Sequence, residues 1–107
     1  MGNTAPFREE LLVASWNVEG LSDIKLWELT SMMTRRRISI LCIQETRIIQ
    51  SPYYTTDHGF LVILSGSSEV AKDYAGVGFI VAPWAVQSVV GFLQYTNRVA
   101  CLKLRAP

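Results

Sequence analysis

The residues from which most metal and redox centres are assembled are scarce in this chain. Of its 107 residues only two are cysteine, Cys42 and Cys101, and one is histidine, His58. The cysteines follow neither a zinc-site nor a Cys-x-x-Cys spacing, which excludes a structural zinc ribbon and a dithiol oxidoreductase. Both lie inside apolar runs, so both are expected to be buried core thiols. Excess charge is missing as well: ten Lys and Arg stand against nine Asp and Glu, a formal net charge of +1. No long-range field then draws the chain toward nucleic acid, and any such contact must come from local placement. Long apolar runs are also absent. The nearest, VGFIVAPWAV at 77–86, is broken by Pro83 and falls short of the roughly 18 to 20 residues of a membrane helix.

The amino terminus, MGNTAPFREELL, places Arg8, Glu9 and Glu10 where a signal peptide needs an apolar core, and Pro6 where the myristoylation pattern needs Ser or Thr. The expectation is an intracellular protein of nucleus or cytoplasm, not secreted and without a transmembrane segment. What the chain does have is apolar surface to bury. Half of its residues are hydrophobic and 18% are charged, the composition of one folded domain. Residues 1–10 read as a polar leader and residues 11–107 as the folded part.

Residues 11–18, LLVASWNV, are short, apolar and bounded by Gly20, as a strand is. Ser22 and Asp23 then offer an N-cap, and Leu26, Leu29 and Met33 recur on one helical face with Trp27 beside them. Arg35, Arg36 and Arg37 close the helix where its dipole favours cations. Residues 38–45, ISILCIQE, form a nearly continuous apolar run, the mark of a strand buried on both faces. Strand, helix, strand predicts a right-handed crossover and two parallel strands whose carboxyl ends share an edge. Beyond Arg47 the chain reads as a turn-rich SPYYTTDHG, a strand FLVILSG, a polar loop GSSEVAKDY and a strand AGVGFIVAP. One or two further strands fall in 87–105, VACLKL the clearest.

Asn17 ends the first strand and Glu45 the second, so the crossover makes them neighbours, with Glu19 two residues on. A carboxylate and an amide oxygen with room for water suit Mg²⁺, which commonly takes one or two protein carboxylates. Turn formers at strand ends are the alternative reading of the same residues. Of the other signals, the three arginines serve as a solvated helix cap or as phosphate contacts. Gly76 and Gly78 lack the lysine and third glycine of a phosphate loop and read as strand or turn glycines. Trp16, Trp27 and Trp84 are expected in or near the core, whereas Tyr53 and Tyr54 are candidates for stacking on a base. His58, in a turn beside Asp57, is expected to be an ordinary loop residue.

The stretches SWNVEGL and LCIQETR, in this order, resemble the first two signature motifs of the endonuclease/exonuclease/phosphatase family. The intervening helix pattern, GVGFIV and the late NRVACLKLR further resemble the endonuclease domain of non-LTR retrotransposon polyproteins, over about residues 11–105. The resemblance implies an α/β fold, part of a four-layer α/β/β/α sandwich like that of pancreatic deoxyribonuclease, with about one sheet and a helix present. It implies that Glu45 binds a catalytic Mg²⁺ or Mn²⁺ and that Asn17 sits beside metal and scissile phosphate. Glu19 falls where some members carry an acid near the metal, and Arg47 is placed for a phosphate contact or a surface ion pair. Gln44 and Thr46 flank the metal ligand. DNA is the implied partner of the full domain, with a reverse transcriptase in the same polyprotein.

Family members continue with Tyr-x-Pro, Gly-Asp-x-Asn and Ser-Asp-His motifs, and none of these occurs here. The chain thus resembles the amino-terminal portion of the domain and is expected to be inactive or nearly so by itself. A non-catalytic truncated relic or a small binding module is the alternative. An unpartnered sheet face, built from FLVIL, GFIV and VACLKL, is expected to promote self-association.

Overall fold

The computed structural model of the chain describes residues 10–66 and 75–105. The expected leader, save Glu10, and most of the polar loop at 66–74 lie outside the described residues.

Strand β1, Val13–Asn17, leads into helix α1, Asp23–Arg36, and back to β2, Ile40–Gln44. The helix starts where Ser22 caps it, its hydroxyl accepting from the Lys25 N–H at 3.1 Å. It stops at Arg37, whose left-handed backbone (φ 58°) closes the last turn through an N–H donated to the Met33 carbonyl. Leu29 and Met33 are buried against the sheet, and the Lys25 ammonium donates to the Val18 carbonyl at 2.7 Å, tying the first turn to the end of β1. The crossover does what its length predicts: β1 and β2 pair in parallel, Val13 beside Ile40 and Asn17 beside Gln44.

After β2 come β3, Tyr53–Thr55, β4, Leu61–Ser65, and β5, Val77–Val81. The spatial order is β1-β2-β5-β4-β3, with every pairing except β1·β2 antiparallel. The stretch SPYYTTDHG therefore holds an edge strand as well as a turn. It was illegible because three exposed residues show no apolar alternation, and only the β4 ladder fixes them. β5 slots between β2 and β4, and Gly78 makes this fit, since a Cβ there would collide with the Ile63 carbonyl and Leu64.

A 3-10 helix, Pro83–Ser88, turns the chain across the sheet into a hairpin of β6, Val89–Gln94, and β7, Ala100–Leu104. VACLKL thus belongs to a second, two-stranded sheet. The expectation of about one sheet was too small, because strand patterns do not say to which ladder a strand is added. The fold is mixed α/β. α1 covers one face of the large sheet, burying Val18, Leu29, Met33, Leu41, Ile43 and Ile80 among others. Across the opposite face a smaller cluster of Ile40, Val81 and Ala85 meets Val89 and Leu102 of the hairpin, so that face is partly covered.

Two further expectations are corrected. Trp16 and Trp27 are exposed, at 50% and 67%, because one sits on an edge strand and the other on the flank of α1 turned from the sheet. Trp84 is half-buried near the core. Cys101 is exposed on the hairpin, Cys42 only half-buried, and both thiols are free. Among the described residues no helix is long and apolar enough to cross a membrane.

Candidate functional site

Parallel pairing brings the ends of β1 and β2 to one edge, where the polar residues of both motifs meet. The Asn17 amide donates from Nδ2 to Glu45 Oε2 at 2.7 Å, and Asn17 Oδ1 accepts from the Glu19 N–H at 3.3 Å. The other Glu45 oxygen, Oε1, lies 3.7 Å from Arg47 Nη2. Both side chains of that ion pair are more than one-third exposed, so it contributes little to stability and serves mainly to orient. Behind Asn17, Gln44 donates to the Ser15 hydroxyl at 3.0 Å, linking the two strands by side chains as well as backbone.

Backbone geometry holds the segment after β2 in place. Val18, Gly20 and Leu21 donate to the carbonyls of Gln44, Glu45 and Thr46 at 3.0, 2.7 and 2.8 Å, so the chain beyond β1 follows the chain beyond β2. On the other side Thr46 and Arg47 donate to Gly76 and Ala75 at 3.1 and 2.9 Å. Between these supports Glu45 and Arg47 take left-handed angles, φ 54° and 58°, as does Glu19 at 51°. Non-glycine residues adopt that region at a cost of about 1–3 kcal/mol each, and such residues cluster at functional sites. Thr46 is buried, and the carboxylate of Glu45 is turned outward.

Asn17 and Glu45 are therefore in contact, with Glu19 joined to them through its N–H and Arg47 through its guanidinium. The Asn17 oxygen is occupied by the Glu19 N–H and its nitrogen faces Glu45, so in this arrangement Asn17 braces the carboxylate. A single partly exposed carboxylate, with one oxygen accepting from Asn17 and the other facing Arg47, would supply one ligand to a Mg²⁺ ion whose remaining positions water fills. Among the described residues no group of three or more His, Cys, Asp or Glu converges to hold a metal.

The other candidates lie elsewhere. His58 is exposed in the β3–β4 turn. Tyr53 packs its ring edge-on to Phe92 at 5.0 Å, and burial together with the Asp23 carboxylate pushes the Tyr54 phenol above its usual range. Arg37 stacks over Trp84 at 4.6 Å from the ring centroid. Gly76, at φ 110°, abuts Thr46 and donates to the Asn97 carbonyl at 2.9 Å, so the β6–β7 turn reaches the site loop. The sequence, which reads Gly76 as a strand or turn glycine, gives no sign of this contact, since a position just before a strand does not announce it. Comparison with protein-family models, with curated proteins and with solved structures finds no match for this chain.

Proposed function

We propose that this chain is the amino-terminal part of a Mg²⁺-dependent phosphodiesterase of the endonuclease/exonuclease/phosphatase type, most like a retrotransposon DNA endonuclease, and inactive or nearly so by itself. The observation that carries the reading is the 2.7 Å contact between Asn17 and Glu45 at the shared carboxyl edge of two parallel strands. That edge is where open α/β sheets place their ligands. On this reading the two observed sheets are the inner layers of a four-layer α/β/β/α sandwich.

Within it Glu45 holds the metal, Asn17 fixes the rotamer of that carboxylate, and Arg47 limits its swing while presenting a cation to a phosphate oxygen. When bound, the metal would polarise a phosphodiester and stabilise charge on its oxygens. His58, the one histidine of the sequence, lies in the β3–β4 turn at the opposite end of the sheet and is not placed to activate water at Glu45. Loss of a general base costs about 10² to 10⁴ in rate.

The test is nicking of supercoiled DNA with Mg²⁺, by the 107-residue chain and by a chain extended in frame through the coding sequence downstream. Nicking by the extended chain alone, reduced about 10²-fold or more by Glu45→Ala, is the expected result. If the extended chain does not nick, or nicks equally well with Glu45→Ala, the proposal fails. Robust nicking by the short chain would overturn its claimed inactivity.

A further inference from the structure

A second concave surface lies at the other end of the sheet. α1, the β3–β4 turn and the start of the 3-10 helix enclose a cleft of about 390 Å³, lined by Trp27, Ser31, Thr34, His58, Phe60 and Trp84 among others. Phe60 immediately precedes β4 and Pro83 follows β5, so this part of the cleft flanks the amino end of β2. Its β3–β4 and 3-10 walls lie at that end, whereas Glu45 follows the carboxyl end of the same strand. The two surfaces share no residue.

The chemistry of the lining narrows what fits. Trp27 is 67% exposed, an unusual state for the largest apolar side chain, and its indole is free to be covered. Trp84 is held from one side by Phe60, ring centroids 6.5 Å apart, and carries the Arg37 guanidinium at 4.6 Å. Arg37 is not itself a lining residue, but its cation is held against Trp84, which is, and Arg35 and Arg36 are exposed in the preceding turn. No lining residue bears a carboxylate, while two indole N–H groups, an imidazole and the Ser31 hydroxyl line it, the Thr30 and Thr34 hydroxyls donating instead to the Trp27 and Thr30 carbonyls of the helix. A planar ring with an attached anion matches these groups. A purely apolar ligand would leave the donors and the guanidinium unused.

We propose that this cleft binds one nucleotide unit, its base stacked on Trp27 and its phosphate on Arg37. Stacking on an exposed aromatic is tolerant of base identity, and a guanidinium engages phosphate through paired N–H groups. The unit can come as a free nucleotide or as part of a single strand. The site is independent of the phosphodiesterase reading, since it uses none of Asn17, Glu45 or Arg47.

Calorimetric titration of the folded chain with adenosine monophosphate, and anisotropy with a short labelled oligothymidylate, test the proposal and separate the two sources. Saturable binding of either probe is expected, weakened about fivefold or more by Trp27→Ala, restored in part by Trp27→Phe, and weakened by Arg37→Ala. Affinity for the oligonucleotide should fall with salt by about 0.7 log unit per log unit of salt for each phosphate engaged. Glu45→Ala should leave binding intact. Circular dichroism melts check that the variants fold, and Trp27, being exposed, is removable without opening the core. Absence of binding by both probes overturns the proposal. So does binding indifferent to Trp27→Ala, binding lost with Glu45→Ala, or occupation of the cleft by a proline-rich peptide in place of nucleotides.

Discussion

Glu19, Glu45 and Arg47 share left-handed backbone angles that their side chains do not favour, and the hydrogen bonds on either side of residues 44–47 are what hold them there. Gly76 is one of those supports. It combines φ 110° with a position where a Cβ would collide with Thr46 Oγ1, so Gly76→Ala should destabilise by about 1–3 kcal/mol. A thermal melt reads this as a loss of roughly 4–8 °C per kcal/mol for a domain near this size. An unchanged melting temperature would show that the loop yields easily. The thiols offer a second residue-level test. Burial raises the Cys42 thiol above its ordinary value, which depletes the reactive thiolate at neutral pH, while Cys101 lies open to solvent. A disulfide reagent near neutral pH should therefore titrate one thiol quickly and one slowly, with Cys101→Ser removing the fast phase. Raising the pH should speed the slow phase, because a raised pKa leaves more thiol to be ionised.

At the scale of elements, the β1-α1-β2 unit was legible from residues 11–45. Its signals are local: a cap at Ser22, an apolar stripe through Leu29 and Met33, and an apolar run too long for a half-exposed strand. Because the Ser22 hydroxyl satisfies a helix-start N–H, Ser22→Ala should cost about 1 kcal/mol, read as a lower urea midpoint with unchanged slope. β3 was not legible in the same way, and although one or two strands were expected in 87–105, with VACLKL the clearest, the sheet to which they belong was not. Three exposed residues make β3, and the hairpin strands mix apolar and polar residues on both faces, so their partners are decided by neighbours distant in sequence.

For the whole molecule, the face of the large sheet opposite α1 is covered only where the hairpin crosses it. Val13 on β1 remains about half exposed, as do Val90 and Val99 on the hairpin and its turn. Exposed apolar side chains of this kind favour association. Sedimentation velocity should show concentration-dependent dimers or larger species from the micromolar range upward, reduced by Val13→Lys and Val90→Lys together. A strictly monomeric chain with a cooperative melt would show that the hairpin suffices to protect the sheet.

The sequence by itself determined the mixed α/β class, the parallel pair and the meeting of Asn17 with Glu45, because each follows from short-range pattern plus the handed geometry of a crossover. Only the tertiary structure decided that Asn17 braces Glu45 through its nitrogen, and that Gly76 and the β6–β7 turn lock the site loop from the far side. It alone placed Trp27 and Cys101 in solvent. Hydrophobicity tells which residues gain from burial, but the area available to cover them is set by which strands become neighbours. That choice rests on contacts across the chain that no local pattern encodes.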